Sequence, residues 1–285
     1  GEVRAGGAKN ATLPILAACL LTKGECILHG VPRLLDVEVM VEVLQSLGAK
    51  AKWEGTTLTI STPDLTATEV PEGLMRKMRA SNLVMGPLLG RGGFFKAFTP
   101  GGCAIGSRPM DLHLKGFLKL GAQIEQEYGY ILGQSTRLKG NKIHLDFPSV
   151  GATENLMMAA ALIEGETVIR NAAREPEIID LQNFLCTLGA KVKGAGTQEI
   201  RIEGVARLGG GEHTVIPDRI ETGTFLVASA ITQGEVRVVN AVEEHIEAVL
   251  VKLREAGAEV LVDQSGILVR GSSCLKAVDI KTLPY

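Results

Sequence analysis

Apolar residues along this chain form two kinds of helical pattern. Three segments, residues 11–21, 152–163 and 222–231, are apolar at nearly every position and rich in small side chains. A helix that is hydrophobic on all sides is buried on all sides, so these segments predict fully buried helices. Two further helices carry apolar residues on one face, at Val37, Met40, Val41, Leu44 and Leu47, and at Ile246, Val249, Leu250 and Leu253. That spacing predicts helices that bury a single side.

Four amphipathic stretches end in nearly the same short sequence, in which Gly48, Gly121, Gly189 or Gly257 follows Leu or Ala. The glycines are about 70 residues apart, which indicates a repeated supersecondary unit. Glycine at the end of such a stretch is a helix C-cap signal. Val- and Ile-rich runs predict strands, for example at Thr167–Arg170, Glu199–Ile202, Val236–Val239 and Ile267–Arg270. Each repeat therefore predicts helix, strand, helix, strand and strand, in an α/β fold with buried helices inside and sheet outside.

The second repeat, about residues 77–145, departs from this pattern. Its first helix, predicted from Met78 to Leu89, begins among the cations Arg76, Lys77 and Arg79. The glycine-rich loop Pro100–Pro109 comes after it. Because function is often carried by loops on a regular scaffold, we expect a functional site in this repeat.

The overall composition argues against several classes of function. The formal net charge of −2 and the aromatic content of 4% give no support for nucleic-acid binding. The sequence contains no HxxxH, no Walker A motif and no GxGxxG after a strand, so neither a metal nor a nicotinamide cofactor is expected. No signal peptide or long apolar span is present, and the five cysteines form no CxxC pair, so we expect a protein of the reducing cytoplasm.

Cys103 is the candidate for reactive chemistry. It lies in the loop Pro100–Pro109, away from any apolar face, and the nearby Arg108 would favour its thiolate form. The alternative is that Cys103 is only a small loop residue. The remaining cysteines lie in apolar or featureless stretches and are expected to be inert, namely Cys19, Cys26, Cys186 and Cys274.

Charged residues at predicted helix starts are candidates for binding anions. Lys9 lies at the end of Gly6–Asn10, where a buried helix begins and offers free N–H groups. An ordinary solvated lysine is the alternative. Arg79 either pairs with a carboxylate or meets a ligand. Arg108, Asp111 and His113 lie at the start of the next predicted helix, with Pro109 at its first position. The alternative for Asp111 is that it serves only as a cap.

Two charged segments, Arg174–Glu177 and Pro217–Glu221, precede predicted helices in matching positions. Charges that enter buried helices need partners. We therefore expect ion pairs that serve the structure rather than a ligand.

Six segments together resemble one known family. They are Gly7–Asn10, Met78–Ser81, Pro100–Pro109 with Asp111–His113, Ser149–Thr153, Asn171–Glu177 and Pro217–Gly223. Because these segments occur in this order along the chain, it resembles the UDP-N-acetylglucosamine 1-carboxyvinyltransferases, a branch of the enolpyruvyl transferase family. The resemblance implies an inside-out α/β barrel fold with two domains of three repeats each. It implies a complete three-repeat domain at residues 9–216 and a partial second domain, with one repeat of three, at residues 1–8 and 217–285.

The resemblance also implies a reaction between two small molecules. Phosphoenolpyruvate would donate its enolpyruvyl group to the 3′-hydroxyl of UDP-N-acetylglucosamine and phosphate would leave, in the first committed step of peptidoglycan synthesis. No cofactor, nucleic acid or membrane is implied as a partner. Cys103 would be the general acid toward the methylene carbon, the residue modified as a phosphoenolpyruvate adduct, and the target of fosfomycin.

Binding roles follow from the same resemblance. Lys9 and Arg108 would act with Cys103 in catalysis, and together with Asn10 they would hold the phosphate and carboxylate of phosphoenolpyruvate. Arg79 would face the sugar nucleotide or the same anions. The uridine end would be bound by Arg108, Pro109, Met110, Asp111 and Leu112, together with Ser149, Val150 and Gly151. Two anionic substrates require several cations at close range.

Two other functions are compatible with parts of the sequence. A shikimate 3-phosphate enolpyruvyl transferase would share the fold, but Cys103 and its loop belong to the sugar-nucleotide branch. A non-catalytic paralogue that binds UDP-sugar is the second alternative. In the family, an aspartate base and further arginines belong to a segment beyond Tyr285, so this chain alone is expected to be inactive or nearly so.

Overall fold

The computed structural model describes residues 1–98, 110–127 and 129–285. The chain divides into a larger unit, Lys9–Val215 with Tyr285, and a smaller unit, Gly1–Ala8 with Ile216–Pro284. The smaller unit holds the first strand, β1 (Glu2–Arg4), and the last repeat. Four repeats of one pattern account for the elements of both units.

The elements follow the predicted order in each repeat. The first repeat contains α1 (Lys9–Ala18), β2 (Glu25–His29), α2 (Leu35–Ser46), β3 (Lys50–Glu54) and β4 (Thr57–Ser61). The second contains α3 (Glu72–Lys77), α4 (Met85–Gly92), β5 (Phe94–Phe98), α5 (Asp111–Lys119), β6 (Gln123–Glu127) and β7 (Tyr130–Gln134). The third contains β8 (Lys142–His144), α6 (Val150–Ala160), β9 (Glu166–Arg170), α7 (Pro176–Thr187), β10 (Lys191–Lys193) and β11 (Glu199–Glu203), followed by β12 (Gly211–Thr214). The fourth contains α8 (Arg219–Ile231), β13 (Glu235–Val239), α9 (Glu247–Glu255), β14 (Glu259–Asp263) and β15 (Gly266–Arg270).

Each repeat forms its own sheet, in which the third strand lies between the other two. The four antiparallel arrangements are β2-β4-β3, β5-β7-β6, β9-β11-β10 and β13-β15-β14. A fourth strand pairs in parallel with the first strand of three of these sheets, where β12 joins β2, β8 joins β9 and β1 joins β13. The predicted α/β class is confirmed by this topology.

The predicted glycine caps are present in all four repeats. Gly48, Gly121, Gly189 and Gly257 have φ values of 108, 95, 100 and 94°. Each glycine N–H donates to a carbonyl three residues back, and the next alanine N–H donates to a carbonyl five residues back, as in Gly48 to Gln45 and Ala49 to Leu44. Only glycine adopts this left-handed conformation without steric cost, so the same residue ends each helix.

The interior helices of the larger unit pack backbone against backbone. Every residue of α1 from Ala11 to Ala18, and of α6 from Ala152 to Ala160, is buried. Glycines allow α4 to approach α6 closely. A Cβ atom on Gly86 would lie 2.3 Å from the backbone oxygen of Asn155, and one on Gly90 would lie 2.8 Å from that of Ala159. The prediction of fully buried helices is correct here.

The helix predicted from Met78 to Leu89 is divided in the structure. A 3-10 helix covers Arg79–Val84, and α4 begins at Met85. The Ser81 hydroxyl donates 2.7 Å to the carbonyl of Met78, three residues back. Serine and asparagine side chains compete in this way for backbone groups, which favours local bonding over a continuous α-helix.

Helix α8 was predicted to be buried on all sides, and that prediction is wrong for the described chain. Thr222, Gly223, Leu226, Ser229 and Ala230 are buried, but Val227 and Ile231 are 46% and 72% exposed. Within the smaller unit α8 packs on β13, β15 and α9. These neighbours lie on one face of the helix, so the opposite apolar face is exposed.

Among the helices of the described residues, none has the length and apolar character needed to cross a membrane.

Candidate functional site

Part of the candidate site lies outside the described residues. Cys103, Arg108 and Pro109 belong to the part of the chain that the structure does not describe. The other candidates lie at the starts of four helical elements of the larger unit: α1, the 3-10 helix at Arg79–Val84, α5 and α6. The 3-10 helix packs against α1 and α6, α6 packs against α5, and α1 also contacts α6. The four helical elements that carry these candidates are therefore packed neighbours in the larger unit.

Lys9 is the first residue of α1, as the sequence indicates. Its Nζ lies 2.9 Å from Oδ2 of Asp36, in the first turn of α2, and both side chains are about 40% exposed. Asn10 is exposed in the same turn. The ion pair places the ammonium group near the helix start, where the side chain stays partly exposed to solvent. A positive charge at the N-terminus of a helix suits an anion.

Helix α5 begins at Asp111, but this aspartate is not its cap. Met110 occupies the N-cap position, and its side chain makes no cap hydrogen bond within the described part of the chain. The Asp111 carboxylate lies 3.6 Å from Nζ of Lys115, one turn later, and Lys115 also lies 3.1 Å from Asp146. Asp146, followed by Asp111, raises the pKa of Lys115. Leu112 is half-buried beside them.

Helix α6 has a side-chain cap at Ser149. The Ser149 hydroxyl accepts a hydrogen bond from the Ala152 N–H at 3.4 Å, and Val150 is the first helical residue. Gly151 lies against the imidazole of His113, because a Cβ atom at Gly151 would be 3.3 Å from Cε1 of His113. The first turns of α5 and α6 therefore meet at Gly151.

A buried polar cluster behind this surface was missed by the sequence analysis. Asn155 on α6 is fully buried, and its side-chain oxygen accepts from the Gly86 N–H at 2.7 Å. Its amide nitrogen lies 3.2 Å from the Asn82 carbonyl and 3.0 Å from Nδ1 of His113. Asn82 in turn donates to the sulfur of Met110 at 3.1 Å. A polar residue inside an otherwise apolar helix was the available signal, because such a residue requires partners.

Three carboxyl groups lie close to one another where α6 meets the start of α7. Burial, together with the nearby Glu177 and Glu175, raises the pKa of Glu154 well above its ordinary value. Among the described residues, Oε1 of Glu154 has no hydrogen-bond partner. A neutral, protonated Glu154 is the form that this apolar setting favours.

The two charged segments before α7 and α8 have different roles. Asp218 is the N-cap of α8 and accepts hydrogen bonds from the Ile220 and Glu221 N–H groups at 2.8 and 3.0 Å. Glu221 accepts from the Gly6 N–H at 2.7 Å. Pro176 is the first residue of α7, a position that needs no N–H donor. In the segment before α8, Asp218 and Glu221 therefore accept hydrogen bonds from backbone N–H groups.

Across residues 1–98, 110–127 and 129–285, no three His, Cys, Asp or Glu side chains are grouped to hold a metal ion. Cys19 and Cys26 are buried there, whereas Cys186 and Cys274 are exposed.

Known proteins match the chain over its whole length. A family model described as EPSP synthase (3-phosphoshikimate 1-carboxyvinyltransferase) matches residues 1–285. UDP-N-acetylglucosamine 1-carboxyvinyltransferase 2 of Carboxydothermus hydrogenoformans is 58% identical over 287 residues, which cover 100% of this chain and 68% of the relative. UDP-N-acetylglucosamine 1-carboxyvinyltransferase 1 of Caldanaerobacter subterraneus subsp. tengcongensis is 54% identical over 285 residues, with the same coverage. The chain thus spans about two thirds of the length of these curated relatives.

Solved structures share the fold. The enolpyruvyl transferase NikO from Streptomyces tendae superposes with a TM-score of 0.83 at 20% identity, covering 96% of this chain and 66% of that protein. EPSP synthase from Acinetobacter baumannii has a TM-score of 0.77 at 20% identity, covering 99% of this chain and 66% of that protein. At this identity the similarity concerns the fold, which is the inside-out α/β arrangement that the sequence predicts.

Proposed function

The chain belongs to the enolpyruvyl transferase family, and from that premise we propose that the protein transfers the enolpyruvyl group of phosphoenolpyruvate to the 3′-hydroxyl of UDP-N-acetylglucosamine and releases phosphate. The observation that carries this proposal is the 58% identity, over the whole chain, to a relative named for this sugar nucleotide. The EPSP synthase structure that shares the fold is only 20% identical. The names of the same relatives support a role in the synthesis of peptidoglycan precursors. They also support small molecules as the binding partners.

We assign the phosphoenolpyruvate end of the site to the start of α1. Lys9 supplies a full positive charge there, held 2.9 Å from Asp36, and the first turn of α1 contains no acidic residue. Together with Asn10 and Arg108, these groups would bind the phosphate and carboxylate. Charge-assisted hydrogen bonds from ammonium and guanidinium groups are among the stronger interactions available to such anions.

We assign the uridine end to the first turns of α5 and α6. Met110, Asp111 and Leu112 begin α5, and Ser149, Val150 and Gly151 begin α6. The two turns meet where His113 packs on Gly151. Arg79, at the start of the neighbouring 3-10 helix, would face the sugar nucleotide or the phosphoenolpyruvate anions.

In the proposed reaction, Cys103 delivers a proton to the methylene carbon of phosphoenolpyruvate. The sugar 3′-oxygen then bonds to the adjacent carbon and loses its proton to a base. Loss of a proton from the new methyl group restores the double bond as the bond to the phosphate oxygen breaks. Cys103 is also the proposed site of a phosphoenolpyruvate adduct and of fosfomycin attack, because a thiolate is a strong nucleophile.

The domain organisation belongs to the same proposal. We propose that residues 9–216 form the three-repeat domain carrying the catalytic loop, and that residues 1–8 and 217–285 belong to a second domain.

The direct test is phosphate release from phosphoenolpyruvate by the full-length protein, with UDP-N-acetylglucosamine or shikimate 3-phosphate as acceptor. We expect release with the sugar nucleotide alone. Cys103→Ser should lower kcat by about a hundredfold or more, the scale of a lost general acid. Cys186→Ser, at an exposed cysteine, is the matched control, and its kcat should stay within about twofold of the wild-type value.

Two other outcomes would replace the proposal. Release with shikimate 3-phosphate alone would assign the protein to the other branch of the family. Binding of UDP-N-acetylglucosamine without phosphate release would favour a non-catalytic paralogue.

A further inference from the structure

The buried amide of Asn155 has a single possible orientation. The Gly86 N–H can only donate, so the atom 2.7 Å from it must be the side-chain oxygen of Asn155. The amide nitrogen then faces the Asn82 carbonyl oxygen at 3.2 Å, which can only accept. The donor at Gly86 and the acceptor at Asn82 require the same orientation of the amide. Backbone groups from two elements therefore determine it.

This orientation also determines the form of His113. The same amide nitrogen lies 3.0 Å from Nδ1 of His113, and it has two hydrogens, one for each acceptor. Nδ1 must therefore accept, and the proton of the neutral imidazole is on Nε2. A charged imidazolium would bring an N–H against the amide N–H, so the contact favours the neutral ring.

The ring held in this way supports the first turn of α6. His113 is 95% buried, and Cε1 and Nε2 would lie 3.3 and 3.6 Å from a Cβ atom at Gly151. The Nε2–H edge therefore lies beside the turn formed by Ser149, Val150 and Gly151. Asn155 itself is one turn deeper in the same helix and fully buried.

We propose that Asn155 is a positioning residue for the sugar-nucleotide site: it holds His113 as the neutral Nε2–H tautomer and so fixes the first turns of α5 and α6 relative to each other. This inference rests on the proposed function for the identity of the ligand. Asn155 lies behind the surface and is assigned no contact with substrate. It acts through His113, so its removal should weaken sugar-nucleotide binding selectively.

The test uses Asn155→Ser in the full-length protein, with Asn141→Ser as the matched control. Asn141 lies in the same unit and donates to the Lys119 carbonyl at the end of α5, but it is exposed. We expect Asn155→Ser to raise the KM for UDP-N-acetylglucosamine, and its Kd measured by calorimetry, by about tenfold, the scale of one lost buried hydrogen bond. The KM for phosphoenolpyruvate should change by less than about twofold, and Asn141→Ser should change neither value by more than that.

A double-mutant cycle with His113→Gln tests whether Asn155 acts through the imidazole. If it does, Asn155→Ser should add less than about twofold to the Kd in the His113→Gln background. The ring nitrogen shifts of ¹⁵N-labelled histidine provide an independent readout, and they should show His113 protonated on Nε2 in the wild type. Asn155→Asp, whose carboxylate can only accept when ionised, should move the proton to Nδ1 or give a charged ring.

Several outcomes would overturn the inference. These are fully additive effects, equal rises in both KM values, an unchanged Kd beside a lowered melting temperature, or wild-type His113 protonated on Nδ1. If the wild-type protein failed to bind UDP-N-acetylglucosamine at all, the proposed function would fall first and this inference with it. If the wild type bound and Asn155→Ser bound equally well, only this inference would fail.

Discussion

Helices α6 and α8 begin from the same sequence pattern and reach different degrees of burial. Both are apolar on nearly all sides, rich in small residues, and followed by a strand and a glycine-capped helix. All residues of α6 from Ala152 to Ala160 are buried. In α8, Leu226 is fully buried while Val227 beside it is 46% exposed.

The difference lies in the neighbours of each helix. Helix α6 packs against α1, α4, α5 and α7, whereas α8 packs on one further helix, α9, and on β13 and β15. An apolar pattern shows what a helix can bury. The number of elements around it determines what it does bury. The larger unit also uses glycine to bring helices into backbone contact, which makes its interior intolerant of added volume.

The largest expected difference is between matched leucine truncations. Leu156 on α6 and Leu226 on α8 are both fully buried. Leu156→Ala should lower the free energy of unfolding of its region by about 4 kcal/mol, because surrounding helices cannot close the cavity. Leu226→Ala should cost about 2 kcal/mol, because the half-exposed helix can shift. Urea-dependent hydrogen exchange, resolved by peptide, measures both, and equal losses would contradict the comparison.

Glycine-to-alanine substitutions at the α4–α6 contact and in α8 should change the free energy of unfolding in opposite directions and by different amounts. Gly86→Ala places a Cβ atom 2.3 Å from a backbone oxygen of α6, so we expect a loss of about 3 kcal/mol. Gly223→Ala in α8 is the matched control, since its Cβ atom would be 4.0 Å from the nearest side chain. It should stabilise its region by up to about 1 kcal/mol through helix propensity. A stabilising Gly86→Ala would refute the close contact between α4 and α6.

Burial of α6 from Ala152 to Ala160 should make its stability depend on pH through Glu154. The pKa of this carboxyl group is raised in the folded protein, so the folded state retains a proton that the unfolded state releases above its ordinary pKa. Stability contributed by the protonated group is present at low pH and is lost as pH rises toward the folded pKa. The free energy of unfolding of Glu154→Gln should therefore rise relative to that of the wild type, by up to about 1 kcal/mol per pH unit from pH 5 upward. Parallel curves of unfolding midpoint against pH would show that Glu154 titrates normally.

The glycine caps should behave alike in both units, because their role is local. Gly189 ends α7 and Gly257 ends α9, with φ values of 100 and 94°. Replacement by alanine in either position should cost about 1 kcal/mol, the strain of a left-handed non-glycine residue. Unfolding midpoints of the two variants should fall by similar amounts. A loss confined to one of them would show that tertiary contacts, rather than backbone conformation, select glycine there.

What could be predicted from the sequence was mainly local. The caps at Gly48, Gly121, Gly189 and Gly257 and the strands that follow them depend on backbone conformation and side-chain alternation, which neighbouring residues determine. The exposed face of α8 and the division of the second repeat at Met85 depend on which elements pack nearby. The partners of Asn155 come from residues about 40 to 70 positions away, a distance over which helical periodicity carries no information.

The candidate site also combines features that local sequence determines with features that depend on packing between elements. The helix start at Lys9 could be predicted from its charge and from the apolar run that follows it. The ion pair between Lys9 and Asp36 and the packing of His113 on Gly151 required the fold. The roles of Cys103, Arg79 and Arg108 stay predictions from the family resemblance.

The most direct measurement of the central claim is hydrogen exchange of the full-length protein with and without saturating UDP-N-acetylglucosamine, repeated with shikimate 3-phosphate. If the sugar nucleotide binds where proposed, exchange should slow most in the first turns of α5 and α6, at residues 110–114 and 149–153. Shikimate 3-phosphate should leave these turns unchanged. Unchanged exchange at both turns with the sugar nucleotide, or equal slowing with the two ligands, would contradict the proposed acceptor and its site.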